Sequence, residues 1–138
     1  MADVCADLIH ELVADSGVTN LVDDRVYGGA VPKGAELPFI WLQRRTVIGS
    51  GALESEDEPL SESFDMECVS DDSREAIEIS DAVRAWAKSW CDSRSSVMGD
   101  HTYSWVEVVD ASEDYVVRNV DAGENLYFSN LDVEVTRP

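Results

Sequence analysis

Residues 63–91 read SFDMECVSDDSREAIEISDAVRAWAKSWC, and the hydrophobic period changes inside this run. Phe64, Met66 and Cys68 alternate with Ser63, Asp65 and Glu67, the two-residue period of a strand with one face toward a core. From Asp72 onward the period lengthens. Ala76, Ile79, Val83, Trp86, Ala87 and Trp90 fall on one face of a helix over 73–91. Asp72 suits the N-cap, Glu75 completes a capping-box pattern, and Arg84 and Lys88 lie in the C-terminal half, where the helix dipole favours cations. A half-buried strand running straight into an amphipathic helix predicts a sheet covered by a helical layer. Two tryptophans on the helix stripe need a large apolar partner, and strand Phe39–Leu42 is the natural one.

Toward the N-terminus, Pro38 leads into Phe39-Ile40-Trp41-Leu42-Gln43, apolar on both faces, which predicts a central strand continuing through Arg44 and Arg45 to Ile48. Residues 49–60 form a long acidic loop, and a hairpin across it makes this strand antiparallel to the one carrying Phe64. Arg25-Val26-Tyr27 predicts a short extended segment, with Gly28, Gly29, Pro32 and Gly34 marking irregular backbone after it. Val4, Leu8, Ile9, Leu12 and Val13 make an apolar stripe on a helix over 3–15, with Asp3, Asp7, Glu11 and Asp15 off the stripe. Ser16-Gly17 is expected to close it, and Val18, Leu21 and Val22 to add one further turn. Beyond the long helix, 92–101 reads as loop. Tyr103–Val109, Tyr115–Val120 and Leu126–Val135 read as strands, with a turn at 121–124. The expectation is one domain over 1–138. It is a two-layer α+β fold: a mainly antiparallel sheet of about five strands, with an N-terminal helix and one long central helix packed on it.

The chain has 138 residues, 44% of them hydrophobic, enough to build a core. Its formal charge is −19, from 29 acids against ten bases, of which eight are Arg and only Lys33 and Lys88 are Lys. That balance excludes specific binding to nucleic acid, where cations supply most of the affinity, and argues against an anionic membrane surface. No apolar run approaches the ~20 residues needed to span a bilayer. Cys5, Cys68 and Cys91 form no CxxC pair, and neither His10 nor His101 stands at metal-finger spacing from them, so reduced thiols in a cytoplasm are expected.

Catalytic chemistry is poorly supported. Gly49-Ser50-Gly51 lacks the Gly-Lys-Ser/Thr of a phosphate loop, and no Gly-x-Ser-x-Gly elbow occurs. Asp100-His101 near Ser104 reads as a loop histidine beside a solvated acid. Glu54, Glu56, Asp57 and Glu58 lack the spacing and mid-loop Gly of a calcium loop. No catalytic residue, metal or cofactor is expected. Loops of this length are often functional, however, and Thr46–Ser73 holds nine acids and no base. The Glu54–Glu58 cluster therefore reads as a strip that faces an arginine-bearing partner or repels passing DNA. Arg44 and Arg45 are adjacent, so a strand points them to opposite faces. One would meet the helix layer or a subunit boundary and pair there with an acid.

The whole arrangement resembles the tail completion, or tail terminator, family of long-tailed, siphovirus-type particles, the proteins that join tail to head. The resemblance begins in Ala6-Asp7-Leu8-Ile9 to Val22. It is strongest in Arg25-Val26-Tyr27-Gly28 followed by Leu37-Pro38-Phe39-Ile40-Trp41-Leu42. It continues through the helix from Ser73 to Trp90 and the late strand ending Leu131-Asp132-Val133-Glu134-Val135. The resemblance implies a virion structural protein at the tail–head junction, assembled in the host cytoplasm. It implies a ring, typically of six copies, that caps the tail tube, stops its growth and meets the head connector or adaptor protein, while DNA passes through. It brings no catalytic residues.

The alternatives are another neck component such as a head–tail adaptor, a minor tail protein, or a non-viral cytoplasmic binding domain or enzyme of a halophile. An adaptor is usually more helical than this chain. The acidity and scarcity of Lys also fit a salt-loving host, because self-repulsion is screened when the Debye length falls to ~3 Å at 1 M salt. Far-UV circular dichroism is expected to show weaker structure in low salt than in molar salt; identical melting curves at both would remove the halophile argument.

Overall fold

In a computed structural model, the structure describes residues 4–49, 60–92, 97–98, 101–102, 105–111, 115–119 and 124–137. Helices α1 (Val4–Ala14) and α2 (Ser16–Val22) precede strands β1 (Val26–Gly28), β2 (Phe39–Gly49) and β3 (Leu60–Ser70). The long helix α3 (Ser73–Asp92) follows, then β4 (Val97–Met98), β5 (His101–Thr102), β6 (Trp105–Ala111), β7 (Tyr115–Asn119) and β8 (Glu124–Arg137). The expected α+β fold is present. The main sheet runs β1-β2-β3-β8-β6, with β7 also on β8, and β4 and β5 pair separately. β6 and β7 occupy successive stretches of the same β8 edge, so six strands fill five positions. Every pairing in the main sheet is antiparallel except β1 with β2.

The two-residue period of β3 is the basis of the core. Phe64, Met66 and Cys68 are buried, and opposite them stand Val133, Leu131 and Ser129 of β8, also buried. Ile40 and Leu42 of β2 extend this inner face. All three helices cover it and share one core with it, from Leu8 and Leu12 through Val18 and Val22 to Ile79 and Val83. Trp86 and Trp90 lie in that core as the α3 stripe predicts. Their setting differs from the expectation, because α3 lies chiefly over β3, β8, β6 and α2 rather than over β2. The reason is position in the sheet. β3 and β8 form its centre, while β2 stands one place from the β1 edge, where α1 lies against β1.

Three local readings are corrected. Ser16-Gly17 does not close the first helix. Asp15 ends α1 and at once caps α2, its Oδ2 accepting the Val18 N–H at 3.1 Å, so a carboxylate cap decides what Gly17 left open. Asp7, expected off the apolar stripe, is only 7% exposed. α1 touches α2, β1 and β4, so its covered face is wider than its apolar stripe. The α3 cap is as expected at Asp72, whose Oδ1 accepts the Arg74 N–H, but the box is relayed. The Asp72 N–H donates to Ser70 Oγ, and the Ser70 hydroxyl donates to Glu75 Oε1 at 2.7 Å. Segment 92–101, expected as loop, contains β4 and ends at the start of β5.

The parallel β1–β2 pair is joined by a short connection without a helix, shorter than parallel pairs usually need. Two side chains clasp its ends. The Arg25 Nε–H donates to Pro38 O at 2.8 Å, and the Trp41 Nε1–H donates to Gly29 O at 2.6 Å. Gly29 and Gly34 take the left-handed backbone the turn needs, at φ +77° and +80°. The Leu37–Pro38 bond is cis. This is the physical content of the Arg-Val-Tyr-Gly and Pro-Phe-Ile-Trp strings. At the end of β1, α1 comes so close that a Cβ on Gly28 would lie 2.7 Å from Cys5 Sγ and 3.1 Å from Ile9 Cδ1. Gly28→Ala is expected to cost about 1–3 kcal/mol in urea unfolding, and Cys5→Ala in the same chain to recover most of the loss.

Candidate functional site

The sheet has a second face, and among the described residues no helix lies on it, because all three helices share the core on the other side. Strand register orders its side chains in rows. The first row is Phe39, Val69 and Phe128; the next is Trp41, Glu67 and Asn130; the third is Gln43, Asp65 and Asp132; the fourth pairs Ser63 with Glu134. Tyr27 stands beside Trp41 and meets Phe39 edge-on, ring centroids 5.7 Å apart. One end of this face is therefore aromatic, its half-buried rings flanking a fully buried Val69, and the other is acidic.

Asp65 and Asp132 are directly opposed, a like-charge pair that destabilises a sheet unless it is compensated. Arg45 compensates both. A register shift in β2 between Arg44 and Thr46 frees Arg45 from regular pairing, and its Nη1 stands 3.4 Å from Asp65 Oδ1 and 3.3 Å from Asp132 Oδ2. Burial raises the Asp65 carboxyl above its ordinary value of 3.8; Arg45 pulls it down, Asp132 pushes it up again, and the net shift is upward. Next along β8, Glu134 Oε1 accepts the Ser61 hydroxyl at 2.9 Å.

The structure separates the residues singled out in the sequence. Arg45 lies on the open face, engaged within its own subunit. Arg44 is exposed and makes no ion pair among the described residues. Glu54, Glu56, Asp57 and Glu58 lie outside the described residues, as do Asp100 and Ser104. The sequence reading missed the opposed Asp65 and Asp132, whose pairing needs the β3–β8 register. It also missed the buried Ser129 hydroxyl, which donates to Ser80 Oγ at 3.0 Å and ties β8 to α3. The serine at 129 among alternating apolar residues was the only available signal for that tie.

Among the described residues, no three His, Cys, Asp or Glu side chains converge as metal ligands would. Nor is any described helix long and apolar enough to cross a membrane. What the side chains do is hold the fold and furnish one open, chemically mixed sheet face, the arrangement of a building block. The tail completion protein gp17 family matches residues 6–116, and the chain belongs to that family. It is a structural protein of the virion tail. The structure is also similar to a chain in the virion of a native gene transfer agent (GTA) particle. The TM-score is 0.55 at 16% identity, over 96% of this chain and 94% of that one, a likeness of fold. No curated protein matches the chain.

The raised Asp65 carboxyl gives a signed pH dependence. The folded state holds this proton more tightly than the unfolded state, so stability is lost as pH rises through the raised value and is regained below 3.8. Asp65→Asn is expected to be at least as stable as the native chain at neutral pH, by no more than about 1 kcal/mol. That advantage should vanish at pH 3–4 in thermal melts; a variant that is worse at neutral pH would mean that Arg45 wins.

Proposed function

We propose that the protein caps the head-proximal end of a viral tail tube as a ring of identical subunits, six by the pattern of the family, and joins the tail to the head connector. Membership in the tail completion family carries this reading. The open sheet face supports it, because a building block needs surface left over after its own core is closed. The domain acts as one unit over 1–138 and makes or breaks no covalent bond. Its partners are further copies of itself, the tail tube protein and the head–tail connector protein.

Glu54, Glu56, Asp57 and Glu58 are proposed to face the channel, where an acidic lining lets DNA slide without sticking. Exposed Arg44 is proposed to meet a neighbouring subunit or the tube. A head–tail adaptor is the second reading, and a sheet of six strands beside three helices among the described residues weighs against it.

The experiment is electron microscopy of purified particles carrying a labelled copy, with tails made in its absence as the comparison. Label at a single position between tail and head, and tails of irregular length without the protein, are expected. Label spread along the tail, or particles free of the protein, would overturn the proposal.

A further inference from the structure

The surface opposite the open sheet face belongs to α3, and its chemistry is complementary. Away from the core, α3 exposes Arg74, Ile77, Glu78, Asp81, Arg84 and Lys88. Residues 77, 81, 84 and 88 follow i, i+4, i+7, i+11 spacing and so share one stripe. Ile77, 43% exposed, is the exposed large hydrophobic side chain among the described residues. Arg74, Arg84 and Lys88 make no ion pair among those residues. In a chain of formal charge −19, a helix face whose three unengaged cations outnumber its two acids, Glu78 and Asp81, departs from the rest of the composition.

The open sheet face presents an aromatic and then an acidic stretch along its strands. Phe39 and Trp41 come first, then Asp65 with Asp132, then Glu134. The spacings agree. Seven helical residues from Ile77 to Arg84 advance about 10.5 Å. Two to four strand residues separate the Trp41 row from the Asp132 and Glu134 rows, about 7–14 Å. An isoleucine placed over the aromatic end therefore brings Asp81, about 6 Å along, to the row where Arg45 stands beside Asp65 and Asp132, Arg84 between the two acidic rows, and Lys88 just beyond.

We infer that the occupant of the open face is a second copy of this chain: α3 of one subunit lies along the sheet face of the next, with Ile77 on Phe39 and Trp41, and Arg84 and Lys88 among Asp65, Asp132 and Glu134. The two surfaces lie on opposite sides of the subunit, so the contact is head-to-tail. It repeats from copy to copy and closes as a ring when the rotation per step allows. The inference rests on the ring reading above and supplies its contact.

Lys88 is one of only two lysines, so zero-length carbodiimide coupling of amines to carboxylates tests the contact directly. An equal mixture of nitrogen-15-labelled and unlabelled full-length chains is treated at low ionic strength and digested for mass spectrometry. Mixed-isotope peptides joining Lys88 to Asp65, Glu67, Asp132 or Glu134 are expected. In parallel, the double variant Arg84→Glu, Lys88→Glu should raise the dissociation constant of self-association at least tenfold. A Glu134→Lys chain, weakened alone, should co-assemble with that double variant. An oligomer whose mixed-isotope cross-links join Lys88 elsewhere, or omit it, overturns the contact and leaves the ring reading standing. A chain monomeric at every concentration also overturns the contact, and particle imaging then decides the ring by itself.

Discussion

The antiparallel register between β3 and β8 is the constraint on which the rest of the molecule depends. It runs from Leu60 opposite Arg137 to Ser70 opposite Tyr127, at the centre of the sheet. Because strand side chains alternate, a slip of one residue would carry Phe64, Met66, Leu131 and Val133 out of the core and bring Asp65, Asp132 and Glu134 into it. No small adjustment relieves that error, since an unpaired buried carboxylate costs far more than any local contact returns. The same register that closes the core also assembles the open face. Asp65 meets Asp132 because Phe64 meets Val133, and the like-charge pair is a by-product of correct burial.

Arg45 shows how that by-product is managed. At the acid pair's row β2 supplies Gln43, and Arg44 pairs with Phe64 on the inner-face register, so the cation comes from Arg45. The shift between Arg44 and Thr46 inserts one residue and re-aims it, as bulges commonly do. Adjacent arginines at 44 and 45 were legible as pointing to opposite faces. The acids that Arg45 would meet were not, because they come from two strands separated by most of the chain. Asp65 and Asp132 become neighbours only through long-range pairing.

The legible part of the fold was the part carried by periodicity. The α3 stripe, the β3 alternation and the β2–β3 hairpin depend on residues close in sequence, and each occurs as read. The parallel placement of β1 was not legible, since it rests on clasps at a distance, Arg25 to Pro38 and Trp41 to Gly29. Nor was the collinear arrangement of β6 and β7 along one edge of β8, because sequence marks strands but not their order in space. The helix α2 was misjudged for a different reason. Asp15 reads as the end of one helix and serves equally as the cap of the next.

Charge gives the last step of the argument. A subunit of formal charge −19 repels its own copies, and a uniform acidic coat would keep every copy apart at moderate salt. Assembly of such a chain needs its few cations placed where a neighbour's acids fall, not spread evenly for solubility. The distribution over the described residues has that character. Arg25 reaches toward the exposed Glu36 and holds the β1–β2 connection, Arg45 is consumed by the Asp65–Asp132 pair, Lys33 and Arg44 stand exposed, and three more cations stand together on the outward face of α3. Arg45 stabilises the open face against its own repulsion, and the cations of α3 lie on the opposite side of the subunit. Opposite chemistries on opposite sides also bias copies against face-to-face pairing, because two acidic sheet faces repel one another. The direction of assembly is then written into one subunit before it meets another.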